Sequence, residues 1–179
     1  AELFVNGISQ GKRTFAEPDG QTPCLGEKAM KRFRLMWDEV TYQPGELKVV
    51  AYDAEGQPVD EKTIHTAGKA AAIKLTPDRK IIKADGEDLC FINVSLTDKY
   101  GNPVPCDSRL VKVKVSGAGS FKAIANGDPT CLESFQQPQM HLFSGQLTVI
   151  VQSGTEPGDI IVEVSGKGVR KASATLKTE

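Results

Sequence analysis

The chain has 179 residues, with 22 Lys and Arg against 23 Asp and Glu and a formal net charge of −1. A balance this even, without a basic stripe, excludes the electrostatic footprint of a nucleic-acid partner. No apolar run approaches a membrane span and no basic-then-apolar leader opens the chain, so the sequence predicts no membrane partner. Cys24, Cys90, Cys106 and Cys131 are scattered without a C-x-x-C pair, which argues against metal and redox motifs. They read as free thiols, and the spacing leaves open a Cys90–Cys106 bridge.

In chain order, Glu2 to Ser9 is a strand that runs into Asn6-Gly7, a strong hairpin signal, and a second strand continues from Lys12 to Phe15. Ala16 to Lys28 is rich in Pro, Gly, Asp and Gln and reads as a loop, and Glu27 to Arg34 has room for one helical turn. Arg32 to Trp37 alternates basic and apolar residues, and Trp37 beside Met36 is expected in the core. The Tyr42-Gln43-Pro44-Gly45 turn leads into a strand over Leu47 to Tyr52. After the Glu55-Gly56-Gln57-Pro58 turn, Val59 to Thr66 forms the last strand of this half. About five strands where an immunoglobulin-like sandwich has seven predict that this first module, residues 1–67, lacks its opening strands. An exposed sheet edge, open to a second copy, is then expected.

A second module spans residues 68–179. Its strand candidates are Ala72–Leu75, Lys80–Lys83, Leu89–Leu96, Leu110–Ser116, Ser120–Ala125, Gln146–Gln152, Asp159–Val164 and Lys171–Leu176. Their spacing, with Gly, Pro and Asp between them, is the signature of a sandwich. The predicted fold class is therefore all-β, with two immunoglobulin-like β-sandwich domains in tandem. Within Leu89–Leu96 the apolar positions Leu89, Phe91, Val94 and Leu96 slip by one, which predicts a bulge or a doubly covered segment. The strand ends at Asp98-Lys99-Tyr100-Gly101-Asn102-Pro103, a corner built from residues that favour turns. Asn93-Val94-Ser95 fits a glycosylation sequon inside a strand pattern and reads as chance.

No catalytic, cofactor-binding or metal-binding residue is assigned. A retaining glycosidase needs two carboxyl groups about 5–5.5 Å apart across the sugar bond. Asp85, Glu87 and Asp88 are close in sequence, but they belong to a turn without an aromatic platform. His65 and His141 lie in different modules and read as surface or structural residues. Asn126 to Phe143 is the one long irregular segment, and loops of that length commonly bind or cover something. Its candidate docking or substrate-edge residues are Asn126, Gly127 and Asp128 at a tight turn, with Phe135 and Phe143 as exposed aromatic contacts.

Several runs resemble the C-terminal accessory domains of β-galactosidases in glycoside hydrolase family 2. In the first module they are Leu3-Phe4-Val5-Asn6-Gly7, Arg34-Leu35-Met36-Trp37 and Tyr42-Gln43-Pro44-Gly45-Glu46-Leu47-Lys48-Val49-Val50-Ala51-Tyr52. His65 to Ala70 is similar to the linker that follows. Ala84 to Leu89, Asp98 to Pro105 and Asn126-Gly127-Asp128-Pro129-Thr130 resemble the C-terminal immunoglobulin-like domain of the same enzymes. The resemblance implies a non-catalytic tail of a secreted or periplasmic enzyme, with the catalytic glutamates in an upstream barrel. Its partners would be that barrel and the enzyme's other domains, with a glycan as a further candidate. The competing reading is a free-standing carbohydrate-binding or adhesin-type module. The low aromatic content, 6% with one Trp, and the absence of an internal repeat weigh against both forms of it.

Overall fold

The computed structural model describes residues 1–14 and 34–179. The expectations for the Ala16–Lys28 loop, for Cys24, for residues 27–33 and for the end of the second strand at Phe15 lie outside the described residues. The chain divides into two compact units, Ala1–Thr66 and Ala67–Glu179. Both are all-β among the described residues, and no helix there is long and apolar enough to cross a membrane.

The first unit is built from β1 (Glu2–Val5), β2 (Ile8–Lys12), β3 (Glu46–Tyr52) and β4 (Pro58–His65), an antiparallel sheet in the order β2-β1-β3-β4. Asn6 and Gly7, at φ 49° and 79°, make the two-residue turn predicted between β1 and β2. Register places Ile8, Val5, Leu47 and Ile64 in one row across all four strands. The opposite face carries Glu2, Lys48 and Glu61, tied by the Tyr52 hydroxyl donating to Glu2 and the Lys48–Glu61 ion pair. The described residues of this unit supply one sheet. Trp37 departs from expectation: residues 34–37 form no strand, and the ring is half-buried. Its Nε1–H donates to the Gly11 carbonyl at 2.9 Å, so a polar handle sets the position of the ring.

The second unit is a two-sheet sandwich of β5 (Ala72–Pro77), β6 (Ile81–Ile82), β7 (Leu89–Thr97), β8 (Leu110–Gly117), β9 (Gly119–Ala125), β10 (Gln139–His141), β11 (Gln146–Ser153), β12 (Gly158–Gly166) and β13 (Ala172–Thr178). One sheet runs β10-β8-β12-β13-β6 and the other β5-β7-β11-β9. All eight predicted strands of this module are present. A ninth, β10, lies inside the segment expected to be irregular. Its single inward residue, Met140, stands between exposed Gln139 and His141, and three residues are too few for a visible period.

The expected bulge in β7 is absent. Cys90, Ile92, Val94 and Leu96 all point inward in strict alternation, while Phe91 faces out and is 43% exposed. Pairing with β11 runs without a shift from Ser95↔Gln146 to Leu89↔Gln152. Counting Cys90 as apolar restores the period, because a buried thiol packs as a small hydrophobe. It donates to Asp78 Oδ1 at 3.2 Å, and burial pushes its pKa up to about 11. Cys90, Cys106 and Cys131 all carry free thiols. The core between the sheets comes from Ile92, Val94, Leu96, Val149 and Val151 on one side and Val111, Ile160, Val162, Val164 and Leu176 on the other.

At the end of β7, Asp98 accepts from the backbone N–H groups of Gly68, Tyr100 and Asn102 and from the Asn102 amide, at 2.8–3.1 Å. The Gly68 N–H leads these donors in holding its pKa down to about 2. The predicted corner is thus one carboxylate gathering otherwise unpaired amides.

Two outcomes test this account. Ile92→Ala removes a side chain with no solvent exposure, and a loss of about 2–5 kcal/mol is expected in chemical denaturation followed by circular dichroism. Asp98→Asn should lower the melting temperature by several degrees at pH 7. A depressed carboxylate stabilises the fold above its unfolded value, near 4, and stops doing so as pH falls through its folded value. Wild type and variant should therefore converge as the pH falls toward about 2.

Candidate functional site

The long segment after β9 begins with Asn126. Its Nδ2–H donates to the His141 carbonyl at 2.9 Å, and its Oδ1 accepts from the Asp128 N–H at 3.2 Å. One amide thus ties the exit of β9 to β10. Asp128 accepts from both the hydroxyl and the backbone N–H of Thr130, which hold its carboxyl below the usual range. Glu133 accepts from the backbone N–H and ring Nδ1 of His141, each at 3.0 Å. The first of these dominates in lowering the Glu133 pKa. Both carboxylates are therefore committed to ordering the loop. Beyond them the loop presents apolar groups to solvent: Leu132 is 99% and Phe135 53% exposed.

At the far end of the loop, Phe143-Ser144-Gly145-Gln146 is a two-residue turn closed by reciprocal backbone hydrogen bonds between Phe143 and Gln146, each 3.0 Å. Ser144 and Gly145 have φ of 50° and 72°, the pair of left-handed residues that this turn requires. A Cβ on Gly145 would collide with the Val104 carbonyl, so only glycine fits. Its N–H donates to Asp107 and its carbonyl accepts from Leu96, which fastens the turn on both sides.

Between this turn and Asn126-Gly127 a shallow cleft of about 470 Å³ opens. Its floor is a row set by strand register, Ala125–Thr148–Asn93 across β9, β11 and β7. Phe143, 43% exposed, and Gln146 stand at the rim, and no lining residue is charged. Of the residues singled out in the sequence, Asn126, Gly127 and Phe143 meet here. Asp128 and Phe135 do not line the cleft. Gln146 and Thr148 were not singled out and Asn93 was noted only for a sequon, because outward polar residues of a strand carry no sign of a shared row until register shows it.

The other candidates resolve into local structure. Asp85 accepts from the N–H groups of Glu87 and Asp88, and Asp88 accepts from those of Lys83 and Leu89, so this acidic cluster is a hydrogen-bonded turn. His65 sits 3.4 Å from Glu46 at the edge of the first sheet. Among the described residues no group of three or more His, Cys, Asp and Glu is placed to hold a metal ion.

Residues 73–175 match the model for glycoside hydrolase family 2 C-terminal domain 5. The chain belongs to glycoside hydrolase family 2. Residues 1–60 match a domain of unknown function, DUF4982. Among family 2 relatives, the chain is similar to Beta-galactosidase BoGH2A of Bacteroides ovatus, 37% identical over 99% of this chain and 19% of that protein. Of solved structures, it is similar to a family 2 member from Bacteroides cellulosilyticus, with TM-score 0.84, 34% identity and coverage of 99% of this chain and 21% of that one. A beta-glycosidase from Bacteroides vulgatus gives 0.82 at 27% identity, covering 99% and 21%. The chain spans about a fifth of the length of these relatives.

Asn126→Ala tests the loop's organisation. Losing the amide's hydrogen bonds to His141, Asp128 and Cys131 should cost about 1 kcal/mol in denaturant unfolding and speed exchange of the Asp128 amide, leaving the central β7 and β11 amides protected.

Proposed function

We propose that this chain is a non-catalytic C-terminal portion of a β-galactosidase-like family 2 glycosidase that acts outside the cytoplasm, secreted or periplasmic. Hydrolysis of the O-glycosidic bond then belongs to a barrel elsewhere in the same polypeptide. The observation that carries the reading is coverage: nearly all of this chain aligns with about a fifth of a β-galactosidase. The commitment of Asp85, Asp88, Asp128 and Glu133 to local N–H groups supports it, since none is left poised for acid–base work.

The role for the chain is structural and docking. Two apolar surfaces favour contact with other domains of the parent enzyme. One is formed by Ile8, Leu47 and Ile64, 67%, 36% and 56% exposed beside buried Val5, and the other is the loop tip with Leu132 and Phe135. Strand β4, at the edge of the first sheet, presents Asp60, Glu61 and Lys62, charges that discourage pairing with a second copy. The covering partner is therefore the parent polypeptide, and the Asn126–Phe143 segment is its docking or substrate-edge loop.

Antibodies against the chain should recover from source cells a polypeptide several-fold longer than 179 residues that hydrolyses a nitrophenyl β-galactoside, while the isolated chain does not. Recovery of a polypeptide of this length alone would overturn the reading. In the long polypeptide, Asp128→Ala should lower activity or thermal stability, and no change in either would remove the docking role of the loop.

A further inference from the structure

The cleft bounded by Phe143 and Asn126-Gly127 has features that the docking reading does not use. Asn93, Ser144, Gln146 and Thr148 surround it, and among the described residues no hydrogen bond within the chain holds their side chains. Asn126, by contrast, is engaged by His141 of β10 and by Asp128 and Cys131 of its own loop. Four amides and hydroxyls thus line the same cleft as one half-exposed aromatic ring, and all four are available to a ligand. Amides and hydroxyls each both donate and accept, which matches a ligand whose own groups do the same. With no lining charge, an anionic or cationic ligand gains nothing from the cleft and loses hydration on entering it.

We propose that this cleft binds one ring of a neutral glycan, its apolar C–H face stacked on Phe143 and its hydroxyls bonded by Asn93, Gln146 and Thr148. The volume, about 470 Å³, lies within the range of about 300–1,000 Å³ typical of small-ligand sites. Gly127 keeps the ring uncovered. A Cβ there would sit 3.7 Å from Cδ1 of the Phe143 ring, so a larger side chain at 127 would crowd the ring and fill the cleft beside it. The backbone at Gly127 is outside the left-handed region, so such a substitution carries no strain. The site is built before any ligand arrives. Its floor is strand register and its ring rides on a turn pinned through Gly145, which lowers the ordering cost of binding. The cleft is shallow, and dissociation constants on the order of 1 mM are expected for a single ring. The inference goes beyond the non-catalytic reading, because it assigns the chain a ligand of its own.

The test is an amide-resolved NMR titration of the whole chain with lactose and with a neutral β-galacto-oligosaccharide, against a glucuronate-bearing oligosaccharide of equal length. Saturable shifts are expected at the Asn93, Gly127, Phe143, Gln146 and Thr148 backbone amides and at the Asn93 and Gln146 side-chain amides. Phe143→Ala and, independently, Gly127→Leu should each weaken binding at least tenfold while the remaining spectrum stays dispersed. Absence of saturable shifts, shifts confined to another surface, or full binding by both variants would overturn the proposal. Tighter binding of the glucuronate ligand would overturn its neutral specificity. Since binding is read on this chain alone, the result is independent of whether a longer parent polypeptide hydrolyses galactosides.

Discussion

The second unit depends on the pairing of β7 with β11. Its two strands are the middle pair of their sheet and stay in register over seven consecutive residue pairs. Side chains alternate with period two, so a slip of one residue would turn Cys90, Ile92, Val94 and Leu96 outward and bring Phe91 and Asn93 into the core. Burying a polar amide without a partner costs far more than a displaced methyl group gains, which makes the observed register strongly preferred. One end of the ladder is locked on both strands: Asp98 gathers the amides of the corner after β7, and Gly145 pins the turn before β11. The cleft follows from the same register, because its floor is the outward row that the inward row dictates.

Much of this architecture was legible in the sequence, and the failures have specific physical causes. The eight strands read in the second module were marked by their regular spacing and by the Gly, Pro and Asp residues between them, a pattern that a sandwich imposes on its turns. The supposed slip at Phe91 came from counting Leu89 and the large Phe91 in the apolar series and leaving Cys90 and Ile92 outside it. Area alone suggests that choice, but the neighbouring strand decides it: Phe91 pairs with Ile150, a partly exposed position on the outer face. Strand β10 escaped because it joins the sheet through only three residues, held by Met140 and by pairing with β8. Trp37 shows the opposite error. An aromatic beside Met36 looked like core, yet its N–H is bound to the edge strand β2 and its ring is only half-buried.

The site was legible in part. Turn chemistry at Asn126-Gly127 and aromatic exposure at Phe143 are local properties, so sequence reasoning reached them. Whether Asp128 and Phe135 share that neighbourhood is a question of how an eighteen-residue segment folds back, and no local rule answers it. The structure turns Asp128 onto Thr130 and leaves Phe135 outside the cleft, with its carbonyl accepting from Ile124. Asn93 is far in sequence from Gln146 and Thr148 and becomes their neighbour only through β-pairing. Acidic residues drew attention in the sequence as candidate catalysts, whereas in the fold they serve as acceptors for turn amides.

That division of labour separates two kinds of polar residue in one sandwich. Carboxylates at the corners satisfy backbone N–H groups that a strand end leaves unpaired, and their depressed pKa values record that work. On the outer face Gln152 does the same for a carbonyl, donating to Gly86, whereas Asn93, Gln146 and Thr148 have no such duty among the described residues. A low aromatic content argues against an extended platform, but a single ring suffices where its position is already determined. Phe143 meets that condition: it is one arm of a tight turn whose glycine has no alternative conformation available to a larger residue. Rigidity at the rim and unengaged hydrogen-bonding groups on the floor are what distinguish a binding cleft from an ordinary dent between strands, and both arise here from backbone pairing.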